Sequence, residues 1–296
     1  MIHLELSNFH KEIGGKMVDY AGFNMPVQYE GVISEHLCVR NNVGVFDVSH
    51  MGEIFIYGKE AKIFLQYITS NNVDKLFPGK VQYSCFPNKS GGIVDDILVY
   101  MLEENSFMLV VNAANIQKDY DWLTSNNSFD CKIDNKSKDF SLLAVQGPKS
   151  KDLIQKLTDA DLNSLDYYTF TTNNILDIND VLISRTGYTG ELGYELYVKN
   201  KDVKKLWDIL FSNEDTLKPI GLAARNTLRL EKGFCLYGND INDTTSPLEA
   251  ALGWITDLST NFINSSNLKK QKENGLEKSL IGFEIIGKGI ARQDYE

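Results

Sequence analysis

Three apolar runs joined by short polar turns limit the possible folds more than any other feature of this chain. The runs are VQYSCF (81–86), GGIVDDILVYM (91–101) and SFMLVVNAAN (106–115). β-Branched and aromatic residues bounded by Gly, Pro and Asn indicate strands, and such short connections place consecutive strands antiparallel. A helical stripe precedes the runs, with apolar residues three and four positions apart at Ala61, Phe64, Leu65 and Ile68. This order resembles a split βαβ unit and predicts an α+β fold with mainly antiparallel sheets.

Further elements are predicted on both sides of this segment. Residues 43–58 have the loose alternation of a strand pair, and strands are expected over 140–146, 180–185 and 194–198. A helix is predicted after Asp202, a possible N-cap. Its apolar stripe consists of Val203, Leu206, Trp207, Leu210 and Phe211.

The C-terminal part is predicted to differ in character. Residues 258–279 are polar and rich in Lys and Glu at their end, which predicts an exposed connection. The tail places Phe283 and Ile285 on one face of an expected strand.

A glycine-rich stretch, RTGYTGELGYELYV (185–198), is the most distinctive loop. Three glycines in seven residues indicate a backbone that turns tightly or lets another group approach closely. Tyr188, Glu191 and Glu195 could present an aromatic face and carboxylates to a flat, donor-rich heterocycle, because a carboxylate accepts hydrogen bonds in pairs. An ordinary surface hairpin explains the same residues.

Composition excludes several classes of protein. With 296 residues the chain can form two or three domains, and its net charge of -10 disfavours a nucleic-acid binder. Four widely spaced cysteines contain no CxxC pair, as expected for reduced thiols in the core. The N-terminal sequence lacks a signal-peptide pattern, and no apolar run reaches the about 20 residues of a membrane helix. These features predict a cytoplasmic protein that binds neither nucleic acid nor membrane.

Two adjacent aspartates, Asp95 and Asp96, lie in one of the apolar strands. Side chains alternate along a strand, so these carboxylates are expected on opposite faces and not as a pair that shares a proton. Asp96 shares its face with Leu98 and Tyr100, and a half-buried aspartate there has either a specific partner or a disfavoured charged form. We predict that Asp96 belongs to the site. Asp95 is the candidate for a structural aspartate that accepts backbone N–H groups after the Gly91–Gly92 turn.

Two arginines, Arg225 and Arg229, are expected on one face of a helix within residues 221–241. They are either fork-shaped donors to an anionic or carbonyl-bearing ligand, or partners of structural carboxylates such as Glu231. Spacing alone leaves both possibilities open. His50 is expected to be a hydrogen-bonded structural residue, and the histidines at 3, 10, 36 and 50 form neither a metal-binding set nor a triad. No metal site is predicted.

Several blocks of sequence together resemble the aminomethyltransferases, or T-proteins, of the glycine cleavage system. They occur in family order over nearly the whole chain, namely 14–29, 43–53, 81–96, 142–148, 185–195 and 221–241. The resemblance implies three domains around a central tetrahydrofolate. It assigns residues 1–50 and 138–250 to a discontinuous folate-binding domain, 51–137 to a split βαβ-like domain, and 251–296 to the start of a C-terminal β-barrel.

The same resemblance implies a reaction and its partners. The family transfers a methylene group from an aminomethyl group, carried on the lipoyl arm of the H-protein, to tetrahydrofolate, and ammonia is released. Asp96 matches the family's essential aspartate, beside the reacting nitrogens of the folate. Glu195 matches the carboxylate that binds the paired donors of the pterin, and Arg225 matches a folate contact. Positions lining the folate cavity match Tyr83, Tyr100, Asn112 and Tyr188, and Tyr167 or Tyr168 is a further candidate.

Two departures and two alternatives accompany this resemblance. Asn226 replaces the acid of the family's ARD-type motif, and the sequence ends at GKGIARQDYE, where the family continues through most of the barrel, as expected for a truncated chain. The alternatives are a folate-binding accessory protein and a folate-dependent demethylase of the same superfamily. Accessory relatives carry a KGCYxGQE-type motif, whereas residues 232–240 read KGFCLYGND, the transferase form.

Overall fold

A computed structural model describes residues 1–291, and helices and strands alternate along this part of the chain. The helices are α1 (Ser7–Glu12), α2 (Val32–Asn41), α3 (Ala61–Ile68), α4 (Ile116–Ser125), α5 (Ser150–Gln155), α6 (Val203–Asn213), α7 (Leu222–Glu231) and α8 (Ser265–Asn274). The strands are β1 (Lys16–Tyr20), β2 (Phe23–Gln28), β3 (Gly44–Asp47), β4 (Gly52–Tyr57), β5 (Val81–Pro87), β6 (Ile93–Glu103), β7 (Ser106–Val111), β8 (Lys132–Asn135), β9 (Phe140–Gln146), β10 (Phe170–Ile175), β11 (Ile178–Ser184), β12 (Gly193–Lys199) and β13 (Lys218–Pro219).

A five-stranded antiparallel sheet is formed by the three predicted strands and two others, in the order β5-β6-β7-β4-β8. Helix α3 covers one face of this sheet. Its predicted apolar stripe is confirmed, since Ala61, Phe64, Leu65 and Ile68 are all fully buried against Ile54, Ile56 and their neighbours. Burying four such side chains contributes several kcal/mol to holding the helix on the sheet.

A six-stranded sheet has the order β10-β11-β12-β9-β3-β13, in which only the short β3–β13 contact is parallel. Helix α6 packs on it through the predicted residues Val203, Leu206, Trp207 and Leu210. Asp202 does occupy the N-cap position of α6, but its side chain makes no capping hydrogen bond. The loop 185–192 connects β11 to β12, which pair antiparallel.

The two sheets face each other across a shared apolar layer. This layer includes Phe46 and Tyr197 from the six-stranded sheet and Tyr100 and Val110 from the five-stranded sheet. The prediction that residues 43–58 form a strand pair is wrong, because β3 and β4 belong to different sheets. The intervening residues turn instead, with the Met51 N–H donating to the Val48 carbonyl at 3.0 Å.

The C-terminal part departs from the sequence-based expectation in two ways. Residues 258–279 contain helix α8, and Phe262, Ile263 and Leu268 are buried, so this segment is not wholly an exposed connection. The expected tail strand is absent from 275–291, where Phe283 and Ile285 are 75% and 44% exposed. Residues 292–296 of that expectation lie outside the described part.

The mixed composition of antiparallel sheets and helices confirms the α+β prediction. All strands of the five-stranded sheet come from residues 52–135, and those of the six-stranded sheet come from 44–47 and 140–219. The boundaries at 50, 137 and 250 stay predictions. Within residues 1–291 no helix is both long enough and apolar enough to cross a membrane.

Candidate active site around Asp96

Asp96 lies on β6 and is held at both carboxylate oxygens. The Tyr83 hydroxyl donates to Oδ2 at 2.8 Å, and the Asn112 side-chain amide donates to Oδ1 at 2.9 Å. Burial, and next the nearby charge of Asp95, raise the pKa of Asp96 to about 7. A carboxyl group with a pKa near neutrality can hold or release a proton at physiological pH.

Asp95 lies behind Asp96 and is fully buried. Its carboxylate accepts hydrogen bonds from the Asn112 backbone N–H at 3.0 Å and from the Asn115 amide at 2.6 Å. It therefore accepts a backbone N–H as expected of a structural aspartate, although the donor comes from the end of β7 and not from the Gly91–Gly92 turn. Asp119 on α4 is also fully buried, and neither of its carboxylate oxygens has a hydrogen-bond partner in the described chain. Burial, and next the nearby charge of Asp95, raise the pKa of Asp119 to about 11, so Asp119 stays protonated near neutral pH.

Two aromatic side chains form one wall beside Asp96. The ring of Tyr83 lies 5.7 Å from the ring of Trp254, which is 71% exposed. Burial, together with the charge of Asp96, holds the pKa of Tyr83 well above its usual range, so this hydroxyl stays protonated and keeps donating to Asp96.

The predicted pair of arginines on α7 has two different environments. The guanidinium of Arg225 lies over the ring of Tyr188, 4.5 Å from its centroid, and no carboxylate of residues 1–291 lies within 4 Å of it. Arg229 instead donates to Asp240 at 2.5 Å and to the Phe234 carbonyl at 3.0 Å. Arg229 is therefore the partner of a structural carboxylate and not a ligand donor. That carboxylate belongs to Asp240 and not to Glu231.

Tyr188 is fixed in position by its own contacts. Its hydroxyl donates to the Cys235 carbonyl, and its ring stacks on Phe234 at 5.9 Å. The charges of Arg225 and Asp96 both act on its pKa, so Tyr188 is near both groups.

Glu195 is the third residue of the buried strand β12 and is 7% exposed. Thr186 donates to its Oε2 at 2.5 Å. Burial raises the pKa of Glu195, whereas the Thr186 hydrogen bond and the charge of Arg225 oppose that rise. Glu195 and Arg225 therefore face the same region as Tyr188.

Tyr100 is fully buried, and its hydroxyl is 3.0 Å from that of Tyr197. The Tyr100 hydroxyl also contacts Thr186, the residue that donates to Glu195. That Tyr100 lines the folate cavity stays a prediction. Tyr168 is partly buried, and the charges of Glu195 and Tyr100 contribute to raising its pKa. Tyr167 is 57% exposed. Tyr168 is therefore the more enclosed of the two candidate aromatics.

His50 differs from the expected hydrogen-bonded structural residue. It is buried against the edges of Tyr20 and Phe23, and its Nδ1 has no hydrogen-bond partner among the residues described. Burial, and then the charge of Arg225, lower the pKa of His50 to about 3. His50 is thus a neutral imidazole near the candidate site.

The glycine-rich loop is shaped by a buried residue that sequence reasoning missed, Gln146. Its amide accepts from the Thr189 hydroxyl at 2.8 Å and donates to the Thr186 carbonyl at 3.2 Å. A Cβ added to Gly187 or Gly193 would lie 2.1 Å or 2.3 Å from this amide. These glycines are therefore required by close packing and are not interchangeable turn residues.

A cavity of about 290 Å³ lies against this loop, lined by Tyr167, Arg185, Thr186 and the loop glycines. Thr186 connects it to Glu195. Within residues 1–291 there is no group of three or more His, Cys, Asp or Glu side chains arranged to hold a metal ion.

Comparisons with known proteins agree with this architecture. The model of the GCVT N-terminal domain family matches residues 6–260. The aminomethyltransferase of Flavobacterium psychrophilum is 54% identical over 298 residues, which cover 100% of this chain and 83% of the relative. That of Bacteroides fragilis is 54% identical, over 97% of this chain and 81% of the relative.

A solved structure is similar over most of the fold. The glycine cleavage system aminomethyltransferase T from Bartonella henselae superposes with a TM-score of 0.86 at 34% identity. The match covers 93% of this chain and 75% of that one.

Proposed function

The chain belongs to the aminomethyltransferase family of the glycine cleavage system, and from this premise we propose that it binds tetrahydrofolate between Asp96, Glu195 and Arg225. The aminomethyl group would arrive on the lipoyl arm of an H-protein, and its methylene carbon would pass to the folate as ammonia leaves. Tetrahydrofolate supplies, as substrate, the nitrogen atoms that take up this carbon. A cytoplasmic location stays a prediction from sequence.

The residues present fit a folate in three respects. Glu195 has one oxygen bonded to Thr186, and within residues 1–291 no side chain donates to Oε1, so this atom can accept from the amino and ring N–H groups of a pterin. Arg225 has no acidic partner within 4 Å in the described chain and can donate to a carbonyl or carboxylate. Tyr188 supplies an aromatic ring that contacts Arg225 and is near Asp96.

Asp96 is the group that would act at the reacting atoms, and its environment is the single observation that carries this proposal. Tyr83 and Asn112 hold its two oxygens, so the carboxylate is oriented before substrate arrives. Its negative charge would stabilise the positive charge that develops on the transferred carbon. Because its pKa is about 7, the same group can hold a proton of a reacting nitrogen near neutral pH.

Calorimetric titration with tetrahydrofolate tests this proposal directly. We expect Glu195→Ala to weaken binding by about tenfold or more, because a buried hydrogen bond to a charged acceptor is lost. Asp96→Asn should retain most of the affinity but lower turnover by about 10²–10⁴-fold, the usual contribution of acid–base catalysis.

Glu191→Ala is the matched control. Glu191 lies in the same loop but pairs with Arg40 at 3.0 Å, so its removal should leave the folate affinity unchanged. Equal affinity in wild type and Glu195→Ala, or full turnover in Asp96→Asn, would contradict the proposed roles.

A further inference from the structure

A row of buried hydroxyl groups leads from Glu195 into the layer between the two sheets. Beyond the Thr186–Glu195 hydrogen bond, the Tyr100 hydroxyl lies 3.3 Å from Thr186 Oγ1, and the Tyr197 hydroxyl lies 3.0 Å from that of Tyr100. Thr186, Tyr100 and Tyr197 are each at most 2% exposed. The row is therefore closed off from bulk water on the side away from Glu195.

The direction of these hydrogen bonds follows from counting protons. Each hydroxyl carries one proton, and an ionised carboxylate can only accept. With Glu195 ionised, Thr186 donates its one proton to Glu195, so the Ser184 hydroxyl, 2.9 Å from Thr186 Oγ1, must donate to Thr186. Tyr100 then donates to Thr186 or to Ser184, and Tyr197 donates to Tyr100. All donors then point toward the negative charge, and such aligned bonds strengthen one another.

The row also joins the two halves of the fold. Tyr100 belongs to β6 of the five-stranded sheet, whereas Tyr197 belongs to β12 and Thr186 follows β11 in the six-stranded sheet. Among residues 1–291, the Thr186 hydroxyl is the one side-chain group that donates to Glu195. Thr186 and Glu195 belong to the same sheet region, and Tyr100 connects their hydrogen bond to the five-stranded sheet.

We propose that Thr186 is a positioning residue for Glu195, with Tyr100 and Tyr197 aligned behind it. Thr186 fixes Oε2 and favours the ionised carboxylate, which leaves Oε1 oriented to accept hydrogen bonds from the folate. This inference rests on the proposed function, because it assigns to Thr186 a role in the affinity of the same site.

Among the groups that act on the pKa of Glu195, the Thr186 hydrogen bond lowers it most. Burial raises the pKa of Glu195, and the charge of Arg225 opposes this less strongly than the Thr186 hydrogen bond does. The remaining neighbours are tyrosines whose own pKa values are raised by burial, so they are uncharged near pH 7, namely Tyr100, Tyr167, Tyr168 and Tyr197.

The test is the pH dependence of tetrahydrofolate affinity, measured by calorimetry between about pH 5.5 and 8.5. Thr186→Val removes the hydroxyl at nearly constant volume. Without that donor the pKa of Glu195 rises, so ionisation requires a higher pH. We expect the midpoint of the binding profile to move to higher pH and the affinity near pH 6 to fall about tenfold. Thr186→Ser, which keeps the hydroxyl, should restore the wild-type profile.

Two further variants separate this role from simple loss of packing. Thr189→Val removes a buried hydroxyl from the same loop, but that hydroxyl bonds Gln146 and not Glu195, so the melting temperature should fall while the pH midpoint stays. Tyr197→Phe, which removes the distal hydroxyl, should move the midpoint in the same direction as Thr186→Val but by less.

The outcomes distinguish the inference from the proposed function. If wild type binds tetrahydrofolate, and Thr186→Val and Tyr197→Phe have the same midpoint in the pH profile of affinity as wild type, the positioning role of Thr186 is wrong. The proposed folate site is not contradicted by that result. If Thr186→Val lowers the affinity by the same factor at every pH, the positioning role is also contradicted, because Thr186 would then contribute through packing alone. Failure of wild type to bind at any pH would overturn the proposed function, and the inference with it.

Discussion

At the scale of single residues, the site separates two adjacent aspartates by their surroundings. Asp95 is fully buried and accepts hydrogen bonds from two asparagines, and its charge helps to raise the pKa of the buried Asp119. Asp96 is only partly buried and is bonded by Tyr83 and Asn112. Two carboxylates with different environments can take different roles, one structural and one chemical.

The pH dependence of turnover follows from the raised pKa of Asp96. If the ionised carboxylate stabilises the transferred carbon, the rate should rise with pH around a midpoint near 7. In Tyr83→Phe the midpoint should move to higher pH, because the hydrogen bond from Tyr83 lowers the pKa of Asp96. Steady-state rates between pH 5.5 and 8.5 measure both.

Asp96→Asn provides the control for this profile. Its low residual rate should be flat across the same pH range, since asparagine does not titrate. A midpoint near 7 that persists in this variant would assign the titration to another group.

At the level of residues, the sequence predicts the burial of a side chain where the alternation of a strand determines it. It does not predict contacts between residues that are far apart in the chain. Strand alternation correctly predicted different surroundings for the two aspartates, since Asp95 is fully buried and Asp96 is partly buried, whereas the chemical role of Asp96 stays a prediction. No local pattern marks Gln146 or Thr186, because their roles depend on strands that meet only in the folded chain. The unpartnered Nδ1 of His50 was missed for the same reason.

At the scale of elements, α7 carries two arginines four positions apart that serve different purposes. Arg225 lies over Tyr188 and faces the site, whereas Arg229 has a 5% exposed side chain that pairs with Asp240. Asp240 lies in the stretch 232–240, which follows the helix. Helix α7 therefore contributes Arg225 to the site and holds that stretch in place through the Arg229–Asp240 ion pair.

Alanine substitutions should separate these two functions. Arg229→Ala should lower the free energy of unfolding by about 3 kcal/mol, because it removes one partner of a largely buried ion pair and leaves the Phe234 carbonyl without its donor. Arg225→Ala should leave stability nearly unchanged and weaken tetrahydrofolate binding. Urea denaturation and calorimetry measure the two effects, and the reverse pattern would contradict the assignment.

Elements with a helical stripe were predictable, and those defined by pairing were not. Helices α3 and α6 follow from apolar spacing alone, which is a local property. Strand β10 and the separation of β3 from β4 depend on partners far along the chain. Helix α8 was missed because its exposed surface is polar and only a few residues, such as Leu268, are buried.

At the scale of the whole molecule, a buried acid lies in the contact between the two sheets. Glu53 of β4 is 1% exposed, and neither of its carboxylate oxygens has a hydrogen-bond partner in the described chain. Its charge would act on Tyr197 of the opposite sheet. Burial raises the pKa of Glu53 well above its usual range, so the folded protein keeps it protonated.

This buried acid should make stability fall as pH rises. The unfolded chain loses the proton above a pKa of about 4.3 while the folded chain retains it, which costs about 1.4 kcal/mol per pH unit until the folded group titrates. Glu53→Gln stays neutral in both states. Its unfolding free energy should match that of wild type near pH 4 and exceed it at pH 8, as measured by urea denaturation.

Glu231→Gln is the opposite control. The hydrogen bond from Arg40 lowers the pKa of the exposed Glu231, so its charge stabilises the fold slightly above the unfolded pKa and that contribution is lost in acid. A stabilised Glu231→Gln at pH 8 would contradict the role of Glu231. An unchanged unfolding free energy of Glu53→Gln at pH 8 would show that Glu53 is not the source of the pH dependence.

The exposed indole beside Tyr83 also gives the molecule an optical property. Of the three tryptophans, Trp254 is 71% exposed, Trp122 is partly buried and Trp207 is 2% exposed in the core, so the indoles emit in different surroundings. Because the Trp254 ring lies 5.7 Å from Tyr83, whose hydroxyl bonds Asp96, a molecule bound beside Asp96 should change the surroundings of this indole. The long-wavelength part of the intrinsic fluorescence therefore reports on the site, and the short-wavelength part reports on the integrity of the fold.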